Sequence, residues 1–414
     1  MKVLFVHQNF PGQFKHLAPA LATRGHEVRA LSIRGSDLPG VAHRRYTVAA
    51  PRDPLAGAHP LAEFDTKRLR GQACAAAALE LAAAGFAPDV IVSNPGWGES
   101  LFLKDVWPEA RVLNYCEFYY AAEGLDVGFD PEFGAADAAG AALHSRMRVR
   151  LKNTHLLQAL EAMDRGIAPT FWQRAVQPPT YRERIDVIFD GIDTVAVAPD
   201  PEAELEIGGR RLRAGDEVLT FVNRNLEPYR GYHVFMRALP EILERRPQAV
   251  AVIVGGDGVS YGAAAPAGKT WKRIFLDEVG ARLDPARVFF VGNVPYATYL
   301  KILQVSACHA YLTYPFVLSW SCVEALAAGC LVVGSRTAPV TEVIEHGVNG
   351  LLVDFFDVAG WADTIGRCLA APQAYAALRR AARAGAQARY DRSGVCLPAQ
   401  IALIEGLIPG GSAS

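Results

Sequence analysis

The sequence predicts an α/β protein of two Rossmann-like domains facing a central cleft, and three observations carry that expectation. The chain has 414 residues, too many for one compact core and suited to two domains of ordinary size. Short apolar runs recur along it, each followed by a Gly- or Pro-bearing loop and an amphipathic stretch, the βαβ rhythm of a parallel sheet. That rhythm breaks once, after Ile192, and then resumes.

The first unit of the pattern is plain. An apolar run (Val3 to Val6) leads through a Pro/Gly loop (Asn9 to Gly12) into an amphipathic stretch (Phe14 to Arg24), a Gly25 stop and a second run (Val28 to Ile33). Further strands are expected at Asp89 to Ser93, Arg111 to Cys116 and Ile185 to Phe189, with an alanine-rich helix over Gln72 to Ala84. Residues 1–192 form the expected N-terminal, acceptor-side domain, and the polar stretch 193–216, with Pro199 and Pro201, the expected linker. A second series follows, with strands at Val218 to Val222, Ala249 to Val254, Arg287 to Val291, Ala307 to Leu312, Leu331 to Val333 and Leu351 to Val353. It makes residues 217–390 the second domain. The closing stretch 391–414 carries a helical apolar stripe expected to fold back on the first domain, and then a Gly/Ser end expected to fray.

Composition narrows the partners. A formal net charge of −1 with 21% charged residues gives no global field for nucleic acid or an anionic membrane as the main partner. Seven scattered cysteines without C-x-x-C spacing argue against a disulfide framework or zinc site and for a reducing compartment. The start is apolar for only a few residues before His7, Gln8 and Asn9, which reads neither as a signal peptide nor as an anchor. A cytoplasmic enzyme is expected, with oligomeric state undetermined.

Ligands of open parallel sheets bind outside the carboxyl ends of the strands, so the post-strand loops are where chemistry is sought. The first, His7 to Gln13, has Gly12 at a helix entrance in place of G-x-G-x-x-G; that disfavours a dinucleotide cofactor but lets a ligand approach a helix N-terminus. In the second half, Val222 to Gly231 places Arg224 and Arg230 in one loop, where two guanidinium groups suit a diphosphate. Gly255 to Gly258 and Gly292, Asn293 and Val294 follow the next strands and admit a base or a phosphate. Tyr314 to Cys330 is the richest segment. A loop containing Phe316, Val317 and Leu318 opens a helix near Ser319, whose free N–H groups suit phosphate. Glu324 lies in that helix's second turn among apolar neighbours, where a carboxylate can accept hydrogen bonds from two ribose hydroxyls.

At these residues the chain resembles the retaining glycosyltransferases of family 4, which share the two-domain GT-B fold. Leu219 to Gly231 is similar to the family's strand, arginine and basic residue before glycine. Glu324 to Gly329 with Leu331 to Ser335, and Glu342 to Gly350, are similar to its E-A-x-A-x-G…P-V-V and E-V-I…G-x-N-G signature. Asp164 to Gln173 and Val187 to Thr194 are similar to its inter-domain strands. The resemblance implies that Arg224 and Arg230 hold the donor diphosphate and Glu324 the ribose. It further implies that the backbone of Phe316 to Ser319 faces the transferred sugar, and that Gly255 and the Gly292 to Val294 loop border the base. Glu117 stands where many relatives carry a sugar-contacting histidine. Phe316, eight residues before Glu324, stands where the family has a glutamate, and cannot accept a hydrogen bond.

The expected reaction is sugar transfer from a nucleoside-diphosphate sugar to a hydroxyl of a saccharide or lipid-linked acceptor. His7, Asn9, Phe118, Tyr119 and Tyr120 are the acceptor-side candidates. No cofactor is expected, the nucleotide sugar being a co-substrate, and no metal, since no D-x-D pair closes a strand. A catalytically silent sugar-nucleotide-binding module and a GT-B epimerase are the alternatives. The basic run His144, Arg146, Arg148, Arg150, Lys152 among Leu143, Met147, Val149 and Leu151 is either a solvated face or a weak peripheral contact with the inner face of a membrane.

Overall fold

A computed structural model of the chain describes residues 1–50, 59, 61–133 and 140–408; the tail at 409–414 expected to fray lies outside them. The described chain divides into two compact units, one of Met1–Asp190 with Ser393–Ser414, the other of Gly191–Arg392.

In the first unit seven parallel strands form one sheet: β1 (Lys2–Val6), β2 (Glu27–Ser32), β3 (Val41–Arg45), β4 (Val90–Ser93), β5 (Arg111–Tyr115), β6 (Arg165–Ala168) and β7 (Ile185–Val187). Their order is β3-β2-β1-β4-β5-β6-β7. Val3 of the central strand β1 is in register with Val28 on one side and Val90 on the other. Both faces of β1 are covered, which is why it reads as an unbroken apolar run. Leu4 and Val6 pack with Cys74, Ala78 and Leu81 of the helix Ala62–Ala83. Val3 and Phe5 pack on the other side with Phe14, Leu17 and Ile404.

The second unit repeats the plan with six parallel strands: β8 (Val218–Asn225), β9 (Val250–Gly256), β10 (Val288–Gly292), β11 (Cys308–Tyr311), β12 (Val332–Ser335) and β13 (Leu351–Val353). Their order is β10-β9-β8-β11-β12-β13, again a sheet that reverses direction beside its first strand. Leu219 of β8 pairs with Ala251 and Cys308. Phe221 stacks on Phe235 of the helix Tyr232–Arg245 at 4.3 Å.

All expected strands are present to within about three residues, β8 running on to Asn225, and β3 is additional. One stretch differs in kind. Within the segment expected to be irregular, Glu204–Ile207 and Arg210–Arg213 form an antiparallel hairpin, turned by Gly208 and Gly209 at φ +54° and +74°. A two-residue turn with both φ positive matches the twist of its strands, and Gly-Gly supplies it without strain. No helix among the described residues is long and apolar enough to cross a membrane.

Candidate functional site

A sheet whose strand order reverses opens a crevice at the carboxyl ends of the strands flanking the reversal. In the second unit these are β8 and β11, and the loops after them meet. The turn Pro228–Arg230 after β8 buries Arg230, which is 4% exposed. Its Nη1 donates to Oγ1 of Thr313 at 2.7 Å and to the carbonyl of Val317 at 2.9 Å. The guanidinium also lies 4.9 Å from the ring centre of Tyr261. No carboxylate among the described residues lies within ion-pair distance of it. A buried cation with only neutral partners is costly, and an anion entering the crevice would offset that cost.

The loop that carries Tyr261 is held by a buried carboxylate the sequence did not bring forward. Glu227 accepts from the N–H groups of Ser260, Tyr261 and Gly262 at 3.1 to 3.3 Å. Gly231, at φ +68°, ends the turn; a Cβ there would fall 2.3 Å from that of Leu312.

Phe316 is buried beside Arg230. Its ring meets Tyr229 edge-on at 5.2 Å and Tyr261 at 5.2 Å, so an aromatic wall occupies the place of a carboxylate. Val317 and Leu318 are buried. Ser319 caps the helix Trp320–Ala327, its side chain accepting from the N–H of Ser321, and its own N–H donates to the hydroxyl of Tyr311 at 2.8 Å. Arg224, near the end of β8, is exposed, with no side-chain partner among the described residues. No contact joins it to Arg230.

Glu324 is tied elsewhere. Its Oε1 accepts from the hydroxyl of Tyr296 and its Oε2 from that of Tyr299, both at 2.8 Å. Burial raises its carboxyl above the usual carboxylate range, while the two tyrosine hydrogen bonds work against that rise. Tyr296 opens the helix Tyr296–Gln304, directly after Gly292, Asn293 and Val294, so this pair of tyrosines couples Glu324 to the loop expected to border the base. Gly255 closes the far side of β9. A Cβ on it would reach Leu226 at 2.7 Å, and one on Gly256 would reach Asn293 Nδ2 at 3.0 Å.

In the first unit the reversal lies between β1 and β4, and the loops there gather His7, Trp97 and Asn94. His7 is buried; its Nδ1 accepts from the N–H of Asn9 at 3.0 Å, and its ring meets Trp97 edge-on at 4.8 Å. Burial pushes the imidazole down to about 4, against hydrogen bonds from Gln13 and Asn9, so it is neutral near pH 7. Gly12, at φ +50°, lies against that ring, and a Cβ would come within 2.4 Å of Nε2. Asn94 donates through Nδ2 to Oε2 of Glu117 at 3.2 Å, linking the candidate after β5 to the same loops. Of the aromatic string, Phe118 is buried and meets Tyr120 edge-on at 5.2 Å. Tyr120 is pinned through its backbone by Asn153 and covered by Lys152, 3.7 Å above its ring. Tyr119 is half-buried.

A family model described as Glycosyl transferase family 4 group matches residues 24–197, and one described as Glycosyl transferases group 1 matches residues 204–385. A D-inositol 3-phosphate glycosyltransferase of Corynebacterium efficiens is 30% identical over 189 residues, 45% of this chain and 43% of that protein. Its counterpart in Nocardia farcinica is 28% identical over 219 residues, 51% of this chain and 46% of that protein. The chain thus matches less than half the length of these curated relatives. Among solved structures, a sucrose-phosphate synthase from Thermosynechococcus elongatus superposes with a TM-score of 0.71 at 17% identity, covering 97% of both chains. Anabaena HepE, in complex with UDP and glucose, does so with a TM-score of 0.64 at 19% identity, covering 99% of this chain and 100% of its own. These two share the fold.

Proposed function

This chain belongs to the family 4 glycosyl transferases, and from that premise we propose that it moves a sugar from a nucleoside-diphosphate sugar to a hydroxyl of a saccharide or lipid-linked acceptor. One observation carries the reading: Arg230, buried at the strand-order reversal with only neutral partners among the described residues, suits an anion such as a diphosphate. Arg224, exposed and without a side-chain partner among the described residues, is the second cation, and the Ser319 end of the helix Trp320–Ala327 the third electropositive element. Glu324, with lone pairs left on both oxygens after Tyr296 and Tyr299, takes the ribose hydroxyls. Gly255 and the Gly292 to Val294 loop border the base. The UDP held by HepE supports a uridine nucleotide as the first to try.

Transfer proceeds with retention and without a metal. The bond from the anomeric carbon to the β-phosphate oxygen breaks as the acceptor oxygen bonds to the same face. The acceptor proton passes to the departing phosphate oxygen, whose charge Arg224, Arg230 and the helix end stabilise. His7, Asn9 and Tyr119 of the first unit are the residues left to recognise the acceptor, with Glu117 reserved for the donor sugar, and the reaction takes place in the cytoplasm.

Incubation with a panel of nucleoside-diphosphate sugars, with and without saccharide acceptors and chelator, tests this. Acceptor-dependent, chelator-resistant release of nucleoside diphosphate with a retained anomeric configuration is expected. Conversion of the donor with no acceptor would identify an epimerase, and binding without turnover a silent module.

A further inference from the structure

The helix Ala141–Lys152 presents a face that the nucleotide site leaves without a role. Val149 is buried and Ser145 and Lys152 are half-buried. These three recur at helical spacing and mark the inward side, where the helix meets the helices Ala62–Ala83 and Thr154–Ala162. With 3.6 residues per turn, the opposite side is centred on Leu143 and Met147, which are 53% and 52% exposed. Arg146 and Arg150 border this pair on one edge, and His144 and Arg148 on the other, all of them exposed. The helix contains no acidic residue. No carboxylate among the described residues lies within ion-pair distance of Arg146, Arg148 or Arg150.

A helix facing water carries its charges on the outermost ridge and its apolar residues towards the flanks. Here the arrangement is inverted: an apolar ridge with basic residues along both sides. Two apolar side chains make too small a centre for a stable protein interface. They do suit shallow insertion into a bilayer, with arginine stems covering apolar surface and guanidinium groups reaching back to phosphates. Against a chain of net charge −1, this basic strip, without an acidic partner among the described residues, is a local feature and calls for a negatively charged surface.

We propose that the helix Ala141–Lys152 docks this chain on an anionic lipid bilayer, Leu143 and Met147 entering the headgroup boundary and Arg146, Arg148 and Arg150 meeting lipid phosphates. Docking depends on residues of the first unit alone, so it stands or falls separately from nucleotide binding.

Co-sedimentation of the full chain with vesicles decides it. Binding is expected to vesicles of phosphatidylcholine mixed with phosphatidylglycerol, weak binding to phosphatidylcholine alone, and release at high salt. Replacing Arg146, Arg148 and Arg150 together by Gln should weaken binding roughly a hundredfold. Replacing Leu143 and Met147 together by Ser should also weaken it, which a purely electrostatic contact would not do. Circular dichroism of both variants checks that the helix persists. Wild-type protein that ignores anionic vesicles at low salt would overturn the proposal, as would a Gln variant that binds undiminished. So would a Ser variant that binds undiminished, which would show a purely electrostatic contact with no insertion of Leu143 and Met147.

Discussion

The hydroxyl of Tyr299 donates to Oε2 of Glu324 at 2.8 Å, so the carboxylate expected to hold a ribose is itself held by a neighbouring helix. Tyr296 completes the arrangement on Oε1. Both tyrosines sit on one face of the helix Tyr296–Gln304, three residues apart, and fix where the carboxylate points.

Removing one of these hydroxyls therefore acts on the nucleotide through Glu324. In Tyr299→Phe the buried carboxylate loses a partner to its charged form, and its carboxyl rises further above the usual range. Nucleoside-diphosphate affinity should fall about tenfold, consistent with ~1.5 kcal/mol for a hydrogen bond to a charged group. The acid limb of binding should also move to higher pH, because the ionised form is the one that accepts two ribose hydroxyls. Titrations from pH 5 to 8 check both; an unchanged profile would show that Tyr299 is packing only.

The first unit makes its own prediction. Glu99 is 0% exposed, and neither of its carboxylate oxygens is hydrogen-bonded to another of the described residues. Burial pushes its carboxyl up to about 7, against its own backbone N–H and the attraction of Arg70 and Lys67; Tyr46 and Cys74 are its other titratable neighbours. A carboxyl raised on folding leaves stability intact below its unfolded pKa and erodes it as pH rises through the folded value. Glu99→Gln should thus gain on the wild type as pH rises, by up to about 3 kcal/mol at pH 8.5, with little of that gain at pH 4.5. Urea unfolding of both proteins at the two pH values checks this; a constant difference would mean that Glu99 is not the titrating group.

Much of the fold was legible because strands buried on both faces begin as unbroken or nearly unbroken apolar runs. β1 and the first five residues of β8 stand out for that reason, and the helix capped by Ser319 for its polar entrance. The hairpin at Glu204–Ile207 and Arg210–Arg213 carried a signal too, Gly208-Gly209 between alternating residues, that was masked by the prolines before it. The candidate residues legible in the sequence were those that stand out within their own segment, as Arg224, Arg230 and Glu324 do. Where two distant segments supply it, the sequence was silent. Nothing local to Tyr296, Tyr299, Glu227 or Asn94 marks them. Each gains its meaning from a partner more than twenty residues away, brought close only by the parallel sheet. The burial of Phe118 was likewise invisible, since a string of aromatics suits a core and a sugar equally well.

The central claim rests on Arg230 as an anion-binding cation, and one measurement tests it most directly: calorimetric titration of wild type and Arg230→Met with UDP, GDP and ADP. A methionine fills the buried volume without a charge, so the variant should unfold within a few degrees of the wild type or above it. The expected result is saturable binding of at least one nucleoside diphosphate by the wild type, and at least thirtyfold weaker binding by the variant, from loss of a charge pair worth roughly 2 kcal/mol or more. A wild type that binds none of the three, or a folded variant that binds as tightly as the wild type, would contradict it.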